Sequence, residues 1–450
     1  AMNTIIKELH DAKEYGSILT VTSQDWSALY DRFAEITEDI NMSRETALRE
    51  LLPLVQVSEA LAQKYDVVVT NPPYMSSSNM NPKLNEFIKN NYADYKSDFF
   101  SSFVIHASQM TKQSGYCGFF TPYVWMFIQS YEKMRNYLYN QATIETLIQF
   151  EYSAFEEATV PVCTFAFQNR HVQKKGCYLR LVDFRGGMEI QRQKTLEALK
   201  NHDCGFYYEQ SADNFSKIPG SPVAYWASER ILSAFECSLP LSELANPKQG
   251  LITGDVNRFV RKWYECVRVN LCTSSSPQDT NREEKWFPYC NGGGFRKWYG
   301  NNDDVVNWKD DGSEIKNFVD DKGKQRSRPQ NQQYYFHEGG TWTAISSSSF
   351  SVRYFPEGFL FSNAGMAIYT ETKKLKYIIG FLNSKLCQLY LSLLNEGLNY
   401  NQGDIAKLPI IFDNVDRIIT KVVELIDLEK KDWDSFETSW DFQRHPLLQH

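Results

Sequence analysis

Tyr65-Asp66-Val67-Val68-Val69-Thr70-Asn71-Pro72-Pro73-Tyr74 is a β-branched apolar run that ends in a proline turn. A compact stretch of this kind predicts a strand, and its near-continuous apolar character is that of a central strand buried on both faces of a parallel sheet. The two prolines stop it, since neither can donate to a strand ladder. Open parallel sheets gather their ligands at the carboxyl ends of their strands, which is where Asn71 to Tyr74 fall. The same four residues also make a purely structural turn, in which the prolines stiffen the exit, Asn71 caps it and Tyr74 packs.

The flanking sequence supports an α/β reading. Ser17-Ile18-Leu19-Thr20-Val21 is a candidate strand, and a helical period from Ser43 to Gln63 leads into the valine run. Asp98 to Thr111 reads as a helix and Tyr116 to Pro122 as the next strand and its exit. Thr143 to Tyr152 and Val160 to Gln168 supply two more strands, with Phe155 on the connection between them. Together these predict a Rossmann-like domain with a mainly parallel sheet. Around Ile218-Pro219-Gly220-Ser221-Pro222 the character shifts to loops dense in Gly, Asn, Trp and Tyr, running to about Pro409. The predicted division is therefore 1–220, 221–412 as a mixed α/β domain, and 413–450 as a helical segment. Tyr377 to Leu394 and Val415 to Lys431 are the helical stretches expected there.

Composition narrows the class without choosing a function. The 450 residues, 42% hydrophobic and 23% charged, suit a soluble globular protein of two or three domains. A net charge of -7 argues mildly against a protein whose whole surface grips phosphate, but permits a local basic groove. The nine cysteines show no C-x-x-C pair and no zinc spacing, so reduced thiols and no metal centre are expected. No secretory segment opens the chain, and Phe119 to Ile128 is too short to span a bilayer, which points to a cytoplasmic protein with no membrane partner. Ala1 before Met2 is an unusual start, and a longer parent protein is the expectation.

The chemistry of the turn is specific. The 6-amino nitrogen of adenine is a poor nucleophile because its lone pair is delocalised into the ring. An amide oxygen from Asn71 and a main-chain carbonyl from Pro72, stiffened by Pro73, are suited to accept its two hydrogens. Tyr74 offers a ring on which an extruded base can stack, worth about 1–3 kcal/mol. No covalent intermediate is needed.

On these residues the chain resembles the adenine-specific, amino-group DNA methyltransferases, whose fourth motif has the form of Asp66 to Tyr74. Gly115 to Pro122 resembles that family's next strand motif. Phe155, within Ser153 to Val160, resembles the loop whose aromatic residue also contacts the flipped base, and Asp98-Phe99-Phe100 resembles the helix motif flanking the cofactor pocket. Gln249 to Asp255, Trp286 to Tyr289, Gly294 to Gly300, Leu382 to Lys385 and Asp432 to Glu437 resemble the recognition part of methyltransferases from phage-exclusion (BREX) and fused restriction-modification systems. The resemblance implies methyl transfer from S-adenosyl-L-methionine to adenine in double-stranded DNA, in phage defence or restriction-modification, with other defence proteins as partners. It implies catalytic roles for Asn71, Pro72, Pro73 and Tyr74, and base stacking for Tyr74 and Phe155.

The family's acidic residue followed by Gly-x-Gly is missing from residues 1–70, so the methyltransferase domain is expected to be partial and its cofactor-binding residues are not assigned. Gly16-Ser17 resembles, weakly, the element that contacts the cofactor's adenine in that family, and Gly292-Gly293-Gly294 reads as a recognition loop. Arg258, Arg261, Lys262, Arg296, Lys297 and Arg353 lie among aromatic residues and are the candidate DNA contacts, against a plain solvated charged face. Two rivals remain: a nuclease built on Asp279 and Glu283-Glu284-Lys285, for which a short polar loop is the simpler reading, and a recognition module that binds DNA without binding the cofactor.

Overall fold

Tyr65–Thr70 forms a strand, β1, paired in parallel with β2, Thr111–Pro122. Four more strands complete the sheet: β3 (Thr143–Gln149), β4 (Val162–Gln168), β5 (Lys175–Arg180) and β6 (Tyr207–Ser211). Their spatial order is β1-β2-β4-β3-β5-β6. The computed structural model describes residues 1–38, 41–152, 154, 160–272, 275–279, 283–395 and 397–448. Its two compact units are Ala1–Ala227 and Ser228–His450.

The sheet of the first unit is mixed, where a mainly parallel one was expected. β1/β2 and β3/β5 are parallel, whereas β2/β4, β3/β4 and β5/β6 are antiparallel. β4 pairs antiparallel with both of its neighbours and inserts between β2 and β3. One face carries the core: Cys117, Phe119, Phe165, Phe167, Leu147 and Tyr178 pack against helices Phe99–Met110 and Glu132–Gln141 through Phe100, Val104, Met134 and Leu138.

β1 departs from the expectation of a central, doubly buried strand. It is the end strand of the sheet, and among the described residues it pairs only with β2. Val68 packs on the core, but Val67 is 56% and Val69 74% exposed. Three successive valines encode burial on both sides, and the described residues cover only one.

Ser17–Val21 does not join the sheet either. Gly16–Ile18 is a turn of 3-10 helix. Leu19 and Val21 are buried with Ile5, Leu9, Phe33 and Val55 in a cluster among the amino-terminal helices, which satisfies the apolar run without a ladder. The helix Met42–Ala62 forms as expected, with the Asn41 side chain accepting from the Arg44 amide.

The second unit contains two four-stranded sheets. One runs Leu360–Phe361, Trp286–Cys290, Asp304–Asn307, Val260–Lys262; the other runs Val352–Phe355, Gly339–Thr343, Gly365–Tyr369, Asn246–Lys248. The helical stretch expected at Tyr377 to Leu394 is two helices, Thr372–Leu382 and Lys385–Leu394, bent by 75°. The helix Val415–Trp433 packs on the first of them. No single helix among the described residues is long and apolar enough to cross a membrane, although that bent, partly buried pair has the length and composition.

Candidate functional site

Asn71 to Tyr74 leave the carboxyl end of β1 as an open turn in which Pro72 is buried while Asn71, Pro73 and Tyr74 are exposed. Among the described residues none of the four makes a main-chain hydrogen bond. The prolines have no N–H to give, and their carbonyls stay available as acceptors. The turn is held through side chains. The Tyr74 hydroxyl lies 2.8 Å from Asn71 Oδ1 and 3.1 Å from the Phe120 carbonyl oxygen on β2. Burial, with the Cys163 thiol close by, pushes that hydroxyl up to about 12, so it is a protonated donor at neutral pH.

Behind the turn stands the first turn of helix Phe99–Met110. Asp98 Oδ1 accepts from the Met75 amide at 2.9 Å and from the Phe100 amide at 3.3 Å. The Phe99 amide donates to the Met75 carbonyl at 2.9 Å. The Phe100 ring meets the Tyr74 ring edge-on at 6.4 Å and stacks on Tyr131 at 5.5 Å. Burial pushes the Asp98 carboxyl above the usual carboxylate range, against the amides that favour its charged form. Asp98 stands where the sequence reading starts this helix, and the structure makes it the cap; its bond to Met75, 23 residues away, has no local signature. Phe155 lies outside the described residues.

The candidate DNA contacts are mostly engaged within the second unit. Arg258 grips Glu314 (2.7 Å), whose carboxyl its guanidinium holds below the usual range, and Arg296 meets Asp432 (2.8 Å). Lys262 lies between Asp303 (2.7 Å) and Asp304 (2.8 Å); burial opposes its charge, yet the two carboxylates raise its pKa above the ordinary lysine value. Arg261 donates to the Val260 carbonyl (2.7 Å) and Lys297 to that of Asn383 (2.8 Å). Arg353 is 1% exposed, so it is no part of a solvated basic face; its Nη2 is 3.4 Å from Gly292 O and from Thr343 Oγ1. Of the nuclease candidates, Asp279 accepts from the Ser276 amide at 2.6 Å. No group of three or more His, Cys, Asp or Glu suited to a metal ion occurs among the described residues.

Neither Gly16 nor the sheet glycines form a cradle fitted to S-adenosyl-L-methionine. Gly16 has a left-handed φ of 61°, but a Cβ there would meet nothing within 4 Å, so Gly16-Ser17 is no close-fitting cradle. Gly115 and Gly176 are closely approached only by the backbone and side chains of their own sheet region. β1 has no further strand beside it among the described residues.

Residues 6–155, which hold the strand, the exposed Asn-Pro-Pro-Tyr turn and the Asp-capped helix, are similar to the Eco57I restriction-modification methylase family. Over 98% of its length the chain is 34% identical to the adenine-specific methyltransferase BrxX of Escherichia coli O9:H4 (strain HS), covering 35% of that protein. Over 99% of its length it is 34% identical to the adenine-specific methyltransferase PglX of Lacticaseibacillus casei (strain Zhang), covering 38%. The chain thus spans little more than a third of the length of these two relatives. Among solved structures the fold is shared with the type IIL restriction-modification enzyme MmeI in complex with DNA, at a TM-score of 0.53 and 12% identity over 85% of this chain and 51% of that one.

Proposed function

We propose that this chain carries the adenine-binding part of an adenine-specific DNA methyltransferase acting in phage defence or restriction-modification. The methyl donor is S-adenosyl-L-methionine, the other substrate is double-stranded DNA, and the second unit reads the target sequence. Asn71 Oδ1 and the Pro72 carbonyl accept the two hydrogens of the adenine amine, which favours a pyramidal nitrogen with its lone pair directed outward. Pro73 fixes the direction of the Pro72 carbonyl, and Tyr74 stacks on the extruded base. The observation that carries this reading is the exposed turn whose main-chain carbonyls take no hydrogen bond among the described residues, at the end of a strand. Phe155 is proposed as a second stacking ring, on the resemblance alone. Arg258, Arg261, Lys262, Arg296 and Lys297 are proposed as DNA contacts that exchange their internal partners for phosphate. Arg353 is proposed to act from beneath the Gly292 loop.

A second reading is favoured by the bare valines of β1: these residues bind and recognise DNA and adenine, but bind no cofactor of their own. Calorimetric titration of S-adenosyl-L-methionine into the 450-residue chain separates the two. Stoichiometric binding defeats the second reading; no heat, together with methylation by the longest form of the protein its gene encodes, assigns the donor site to other residues.

A further inference from the structure

We infer that Asp98 is a positioning residue for the Asn71–Tyr74 turn; the inference rests on the proposed adenine-methylating role of that turn. Without main-chain hydrogen bonds, the turn takes its position from the Tyr74 side chain and from what grips its two ends. Its entry is β1. Its exit is Met75, both of whose main-chain groups are tied to the start of one helix: the amide to Asp98 Oδ1 at 2.9 Å, the carbonyl to the Phe99 amide at 2.9 Å.

The same carboxylate oxygen also caps that helix through the Phe100 amide at 3.3 Å, and Phe100 is the fully buried ring against which Tyr74 rests. Asp98 therefore sets the stacking ring and the helix that supports it in one register. A displacement of about 1 Å in a group that orients a reacting atom can cost two orders of magnitude in rate. The capping function alone asks only for a short oxygen side chain, which Ser supplies as well as Asp. Reaching Met75 asks for an oxygen one bond further out, which Asn retains and Ser lacks.

Asp98→Asn and Asp98→Ser therefore separate the two roles. Methylation in a single turnover and DNA affinity are measured on the longest form of the protein its gene encodes, with amide exchange at Met75 followed in the same variants. Asp98→Asn is expected to methylate within about threefold of the unmodified protein, because it keeps the acceptor. Asp98→Ser is expected to melt at the same temperature as Asp98→Asn, to bind DNA within about twofold, and to lose about tenfold or more in rate, with faster exchange at Met75 alone. A wild-type rate in Asp98→Ser, or an equal loss in both variants that follows their thermal stability, overturns the inference. If neither the unmodified protein nor Asn71→Ala transfers a methyl group, the proposed function fails; exchange at Met75 then decides the clamp, and equal protection in Asp98→Asn and Asp98→Ser rejects it.

Discussion

The Tyr74 hydroxyl lies 2.8 Å from the carboxamide oxygen of Asn71 and 3.1 Å from the carbonyl oxygen of Phe120. One hydroxyl has one hydrogen and cannot donate to both at once. When it donates to Phe120, a reversed Asn71 carboxamide donates its Nδ2 hydrogen to the tyrosine oxygen and turns Oδ1 toward solvent, the side from which the proposed adenine substrate approaches. Which end of the amide faces the tyrosine follows which of the two oxygens the hydroxyl serves. In the proposed reaction Tyr74 thereby acts on the amide as well as on the base.

Tyr74→Phe keeps the ring and loses the hydroxyl. DNA binding and base stacking are expected to persist, while the single-turnover rate falls by about two- to tenfold, the equivalent of one ordinary hydrogen bond. Quenched-flow methylation checks this; a loss of a hundredfold or more contradicts a role confined to orienting Asn71, and Tyr74→Ala is expected to weaken base capture as well.

Asn71→Ala is expected to abolish methylation with DNA affinity nearly intact. Asn71 is exposed, so the thermal midpoint is expected to shift by no more than about 0.5 kcal/mol of stability. Fluorescence anisotropy, calorimetry and a methylation assay on the same preparation test all three statements. Retained activity removes Asn71 from the mechanism.

Hydrogen exchange reports the open edge. In the 450-residue chain the β1 amides that point away from β2 are expected to exchange close to the solvent rate, while those of β2, flanked by β1 and β4, are slower by about a hundredfold or more. Equal protection of the two strands means that β1 has another partner in solution.

Arg353 combines 1% exposure with Nε and Nη1 that take no hydrogen bond among the described residues, and burial pulls its pKa down to about 10. Replacing such a group by an apolar side chain of similar length removes a desolvation cost. Arg353→Met is expected to be as stable as the unmodified chain or more so in urea denaturation. DNA affinity that stays within about twofold marks a supporting role, whereas a loss near tenfold establishes a guanidinium that reaches DNA.

Much of the site was legible in the residues alone. A valine run stopped by Asn-Pro-Pro-Tyr declares a strand and its end, because β-branching and missing N–H groups act locally. Asp98 before Phe99-Phe100 declares a helix start for the same reason. The apolar run Ser17–Val21 misled, since its composition is the same whether Leu19 and Val21 meet a sheet or a cluster of helices.

The sequence by itself determined which residues stop the strand, which cap the helix and which acceptors the turn can offer, all consequences of covalent chemistry within a few residues. Only the tertiary structure decided that β1 stands at the sheet's end with Val67 and Val69 bare, that Arg353 is buried, and that one Asp98 oxygen serves both Met75 and Phe100. Those are relations between segments distant along the chain, and a side chain's composition does not say which distant neighbour will reach it.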